Sequence, residues 1–187
     1  MFRGFLVCLI LAVGPARALD LTPFMDEREL EGFRIPIVRF GDGTRRVSYR
    51  PPDKWRVAGN ETDLNLIPPN RTGCAVKLSV RPRPPGLQEG SDPRDELKKW
   101  ARNLLPADAA EVAVLSENAS PFMMGRLVSH EFVFGYESRA AHFVRSVAVV
   151  DLSDKQRFIV MVDARPEDFE SLHKETIASM FSWEWDD

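Results

Sequence analysis

The chain has 187 residues, 44 % of them hydrophobic, with 25 basic and 28 acidic side chains and a net charge of −3. A mildly acidic surface of mixed sign excludes the electrostatic footprint of a nucleic-acid binder, and the short basic spots Arg45-Arg46 and Arg81-Pro-Arg83 lack interleaved aromatics. Two cysteines exclude a disulfide-stapled scaffold.

Met1 to Ala18 reads as a secretory signal peptide. Arg3 supplies the positive start, Phe5 to Val13 is apolar, Gly14-Pro15 breaks the run, and Ala16-Arg17-Ala18 is an A-x-A cleavage site. A transmembrane helix needs roughly 20 apolar residues, about twice this run. Cys8 lies inside the run rather than at the junction, which argues against lipidation. Cleavage after Ala18 leaves 169 residues, 23 basic against 28 acidic. That is one soluble domain, long enough to bury about 70 % of its unfolded surface without a staple. Its one remaining cysteine, Cys74, falls on a strand and reads as a small buried hydrophobe.

Residues 19–32 are charged and irregular, and are expected to form a loosely docked arm. The domain proper is expected over 33–187. A hairpin is predicted from Arg34–Phe40 to Thr44–Tyr49 across Gly41-Asp-Gly43, with Pro36 placing the first strand at a sheet edge. Strands follow at Trp55–Ala58, Asp63–Ile67 and Cys74–Arg81, the last with Cys74, Val76, Leu78 and Val80 on one face. Arg81 to Gly86 is a proline-rich stiff loop.

Asp92 and Pro93 open a helix whose Leu97, Trp100, Ala101, Leu104 and Leu105 make one apolar stripe. A meander is expected next, at Val112–Glu117, Gly125–Tyr136, Ala141–Asp151 and Arg157–Ala164. Phe158-Ile-Val-Met-Val162 is apolar on both faces and so marks a central strand. A last helix starts near Pro166 and buries Phe169, Leu172, Ile177 and Met180 or Phe181. Ser182-Trp-Glu-Trp185 then runs out extended.

No constellation carries a recognisable chemistry, so no catalytic, cofactor or metal residue is assigned. His130, His142 and His173 lack metal-ligand spacing. Glu170-Ser-Leu-His173 matches one half of a di-iron motif whose second half is missing, and Ser171-Leu-His-Lys174 matches Ser-x-x-Lys without its companion motifs. Asn60-Glu-Thr62, Asn70-Arg-Thr72 and Asn118-Ala-Ser120 are glycosylation sequons read as turn chemistry.

The order Tyr49-x-Pro51-Pro52-x-x-Trp55, strands, helix, meander ending at Phe158–Val162, Phe169 helix and closing Met180-Phe-Ser-Trp183 resembles the PsbP-like superfamily. The resemblance covers roughly residues 33–185 and implies an α+β fold: a central antiparallel sheet of about six or seven strands with helices on its faces. It also implies a non-catalytic accessory role. The expected partner is another protein of the cell envelope or a secreted protein, with no cofactor, no nucleic acid and no transmembrane segment in the mature chain. Two other readings stay open: an apolar-ligand or lipid pocket lined by Phe122-Met-Met124, Phe132, Phe134 and Tyr136, and a hydrolase whose groups only folding unites. Trp55 is expected in the core, where Pro51-Pro52 turns the chain inward.

Overall fold

The computed structural model describes residues 19–41, 46–84 and 93–186. The export signal, the Asp42-Gly43 turn, Pro85-Gly86 and the Asp92 cap lie outside the described residues.

Eleven strands and two helices are described, and the strands form two antiparallel sheets rather than the single sheet expected. The smaller sheet has the order β1 (Asp20–Leu30), β2 (Phe33–Gly41), β3 (Arg46–Tyr49), β11 (Glu184–Asp186). The larger runs β4 (Arg56–Gly59), β5 (Asp63–Ile67), β6 (Ala75–Pro82), β10 (Gln156–Ala164), β9 (Ala141–Asp151), β8 (Leu127–Ser138), β7 (Ala110–Met124). The helices are α1 (Pro93–Arg102) and α2 (Pro166–Met180).

The extra sheet exists because the expected arm is a strand. Glu31 and Gly32 both have positive φ, 52° and 82°, the backbone of a type I′ two-residue turn, which matches the twist of the strands it joins. β1 therefore pairs back along β2 from Leu30↔Phe33 to Asp20↔Gly41. Leu19 and Leu21 are buried and fasten its start, and the Leu21 N–H donates to the Glu61 carbonyl at 2.9 Å. Consequently β2 is an interior strand, not an edge. Pro36 is tolerated because the β2–β3 ladder ends at Val38↔Tyr49, leaving Pro36 a partner only in β1, Glu27.

In the larger sheet β10 occupies the middle, with Phe158, Val160 and Val162 facing one core and Ile159 the other. The first core joins β6, β9 and β10 to Leu172 and Met180 of α2 and to Val38, Phe40, Val47 and Tyr49 of the smaller sheet. The second joins Phe132, Phe134, Val147, Val149 and Ile159 to Ala101 of α1, with Leu97, Trp100, Leu104 and Leu105 half-buried around it. Each helix thus serves a different face. Met180, not Phe181, completes the α2 stripe; Phe181 stands in solvent.

Trp55 is buried in the first core. Trp183 is also buried and stands 5.0 Å from Phe158, 5.6 Å from Phe40 and 5.9 Å from Tyr49 between ring centroids. These ring contacts join the end of the chain to both sheets. β7 is longer than expected because three register shifts break its two-residue alternation. Among the described residues no helix is long and apolar enough to cross a membrane.

Candidate functional site

Two groups of side chains stand out: a buried carboxylate hub under α2, assembled from distant parts of the chain, and an apolar hairpin in solvent.

The hub is Glu131. The β7–β8 register sets Asn118 opposite it, and the β8–β9 register puts Ser146 one diagonal away, next to Ala148. Asn118 Nδ2 donates to Oε2 at 2.7 Å, and Ser146 Oγ donates to Oε1 at 2.5 Å. From above, α2 brings His173 Nε2 to 2.6 Å from the same Oε1. Phe169, one helical turn earlier, stacks on the imidazole at 5.3 Å and 18° and fixes its plane. The Glu131 side chain is 1 % exposed. Burial pushes its carboxyl up, but the hydrogen bonds from His173, Ser146 and Asn118 outweigh burial and hold it below the usual carboxylate range.

A hydrolytic triad needs a nucleophile whose proton passes to a base that a carboxylate orients. Here Ser146 donates to the carboxylate itself, and His173 ends on the same oxygen. The carboxylate gathers both groups, so the geometry fastens α2 to the sheet and prepares no nucleophile.

The other face carries a similar tie. Asp163 accepts from Tyr136 Oη at 2.6 Å and from Arg145 Nε, and Arg145 Nη1 also donates to the Leu104 carbonyl at the end of α1. Burial and then Asp163 push the Tyr136 phenol up. Arg157 lies over the Trp100 ring at 4.6 Å and donates to Asp151 at 2.7 Å. Both networks bind a helix to the sheet.

The remaining sequence candidates are dispersed. His130 is exposed on β8, and His142 reaches Glu137 at 3.2 Å in solvent. His173 bonds Glu131 rather than Glu170. Ser171 Oγ donates to Glu175 at 3.0 Å and accepts from Arg71 at 3.1 Å. Among the described residues no group of three or more His, Cys, Asp or Glu side chains is placed to hold a metal ion. Burial, with Asp168 adding to it, pushes the half-buried Cys74 thiol up, away from a reactive thiolate. Asn60 does sit in a turn, its Oδ1 accepting from the N–H groups of Thr62 and Asp63 at 3.0 Å. Asn118 does not: it lies within β7, and its amide is held by Glu131.

The aromatics offered for an apolar pocket are divided by the sheet. Phe122 and Met124 pack in the core beneath α2, whereas Phe132 and Phe134 pack in the core beneath α1.

The second group is one that sequence reasoning missed. Phe24 (66 % exposed), Met25 (55 %), Leu30 (54 %) and Phe33 (73 %) stand in solvent on the β1–β2 hairpin. Leu30 pairs with Phe33 beside the turn. By alternation, these two and Phe24 share the sheet face turned away from Val38 and Phe40. The available signals were the Glu31-Gly32 turn and large apolar residues inside an otherwise charged stretch.

No protein-family model matches the chain, and no curated protein matches it in sequence. Solved structures do match. One is LpqN, involved in cell envelope biogenesis of Mycobacterium tuberculosis, with 11 % identity over 87 % of this chain and 92 % of that chain, at a TM-score of 0.50. Another is cyanobacterial PsbP (CyanoP) from Synechocystis sp. PCC 6803, with 9 % identity over 92 % and 95 %, also at 0.50. PA94 from Pseudomonas aeruginosa matches at 0.45, with 10 % identity over 84 % and 94 %. At such identities the likeness is one of architecture: this chain has the PsbP-like fold.

Proposed function

We propose that the protein is an exported, non-catalytic module that docks onto another protein of the cell envelope. The observation that carries this reading is the β1–β2 hairpin. Leu30 and Phe33 are exposed side by side on one sheet face, with Phe24 exposed further along that face and Met25 on the opposite one, and neighbouring exposed apolar side chains are a feature of interaction sites. Val114, Leu115, Met123, Val128 and Phe181 are exposed as well, but none as fully as Phe33, and the buried ionisable groups that converge, Glu131 with His173 and Asp163 with Arg145, are engaged in holding helices.

Export rests on the Met1–Ala18 segment and agrees with the envelope role of LpqN. Crosslinking in the native envelope followed by affinity capture tests the reading. The natural chain recovers one dominant protein, and Phe33→Asp recovers it at least tenfold less. Recovery of nothing by the natural chain, or equal recovery by both, contradicts it.

A further inference from the structure

Each sheet edge is a template for another strand unless something blunts it. Four edges are described. β4 and β11 are blunted by shortness, with 4 and 3 residues, and β7 by three register shifts. β1 pairs with β2 without interruption from Phe24 to Leu30, a stretch that holds no lysine or proline. Beyond that stretch the edge closes, because the Leu21 N–H is taken by the Glu61 carbonyl.

Leu30 and Phe33 flank the two-residue turn and form a hydrogen-bonded pair. Alternation then turns the N–H and C=O groups of Phe24, Asp26 and Arg28 toward β2, and those of Met25, Glu27 and Glu29 toward solvent. An antiparallel partner must set its own outward groups against these three residues. For a second copy of this chain, a pairing centred on Glu27 does so. It places Asp26 of each copy against Arg28 of the other, and Phe24 against Leu30. Sliding by two residues sets Asp26 against Asp26 or Arg28 against Arg28, and sliding by one misaligns the hydrogen bonds. The centred register keeps the existing bridges. Arg28 holds Glu184 at 2.7 Å and Asp26 holds Arg39 at 2.8 Å, so the signs alternate from Glu184 through Arg28 to Asp26 and Arg39 of the second copy. The like-charge contact is Glu27 against Glu27 on the two-fold axis, where each carboxylate lies 3.6 Å from Arg34 of its own copy.

The same register joins the scattered apolar side chains. Within one copy Phe24 and Leu30 lie about 20 Å apart along β1. In the pair, Phe24 of one copy stands about 5 Å from Leu30 of the other and extends the Leu30–Phe33 pair into a row of three. The second copy's chain turns away at Glu31-Gly32, before the closed end of the edge.

We infer that residues 24–30 of two copies pair antiparallel about Glu27, forming a two-fold dimer whose joined sheet carries both apolar rows on one face. Such a contact uses the same surface twice and closes at two copies.

Sedimentation at physiological salt reads mass, and residue-resolved amide exchange reads position. The interface is small and therefore weak, so the mass rises from one chain at about 1 µM toward two at about 500 µM. Over that range the N–H groups of Met25, Glu27 and Glu29 gain at least threefold protection. Asp26→Arg and Arg28→Asp each stay single, and an equal mixture of the two pairs again, because the guanidiniums of one then face the carboxylates of the other. If either variant does not fold, mass and exchange of the natural chain decide. A single chain at every concentration, a mass above two chains, protection elsewhere, or a mixture that stays single overturns the dimer. A chain that stays single yet captures an envelope protein loses the dimer and keeps the docking role; one that pairs but captures nothing keeps the dimer and loses the docking role.

Discussion

Removing the Glu131 carboxylate is the most exacting perturbation of this scaffold. Glu131→Ala leaves Ser146 Oγ, Asn118 Nδ2 and His173 Nε2 without their acceptor. Ser146 is buried and bears the full cost of an unmade hydrogen bond, about 1–3 kcal/mol. The amide and imidazole are partly exposed and recover water. The deleted methylene and carboxyl leave a void at a site 1 % exposed. The sum is about 3–5 kcal/mol, the usual cost of breaking a buried pair. Glu131→Gln keeps the volume and one oxygen. With that oxygen toward Ser146 and His173, its NH2 faces Asn118, whose amide rotates to present Oδ1. Only charge assistance is lost, about 1–2 kcal/mol.

Equilibrium urea unfolding at neutral pH measures both variants. The pH dependence supplies a second check. Folding depresses the Glu131 carboxyl, so its contribution is complete above its unfolded value of 4.5 and disappears as pH falls through the lower folded value. The gap between the natural chain and Glu131→Gln should therefore begin to close once the pH falls below 4.5 and continue to close in more acid solution. An alanine variant losing less than about 1 kcal/mol, or a gap that widens in acid, would refute the hub.

Three further outcomes are expected. Trp55→Ala costs about 3–5 kcal/mol in the same assay, because the indole is buried in the main core; a loss below about 1 kcal/mol would put Trp55 at the surface. Phe33→Asp changes stability by no more than about 0.5 kcal/mol, since its ring is 73 % exposed, and a larger loss would show that the hairpin needs that ring to fold. Both tyrosines of the chain, Tyr49 and Tyr136, have phenols pushed up chiefly by burial. Ultraviolet titration of the folded protein should therefore show no tyrosinate near the ordinary value of about 10, and a full step there would contradict both environments.

The parts of the fold legible in the sequence are those where side chains carry the information. Phe158–Val162 announces a central strand because both its faces are buried, and Leu97, Trp100 and Ala101 announce the packed face of α1. β1 was illegible because most of its side chains stand in solvent, leaving no apolar alternation to read; backbone pairing makes it a strand. β7 was cut short because its bulges interrupt the period. His173 lies one turn from Phe169 on α2, but its partner could not be found along the chain. Glu131 is the one carboxylate between Leu127 and Tyr136, and a lone charge in an apolar strand implies a buried partner. Which partner depends on helix-to-sheet packing, which spacing along the chain does not encode.

Incorporating a photoreactive benzoylphenylalanine at position 33, in cells carrying the full chain, tests the docking role directly. Illumination should yield an adduct with one envelope protein, absent when the same group replaces exposed Asp154 in the turn between β9 and β10. No adduct at position 33, or the same adducts from both positions, would contradict a docking hairpin.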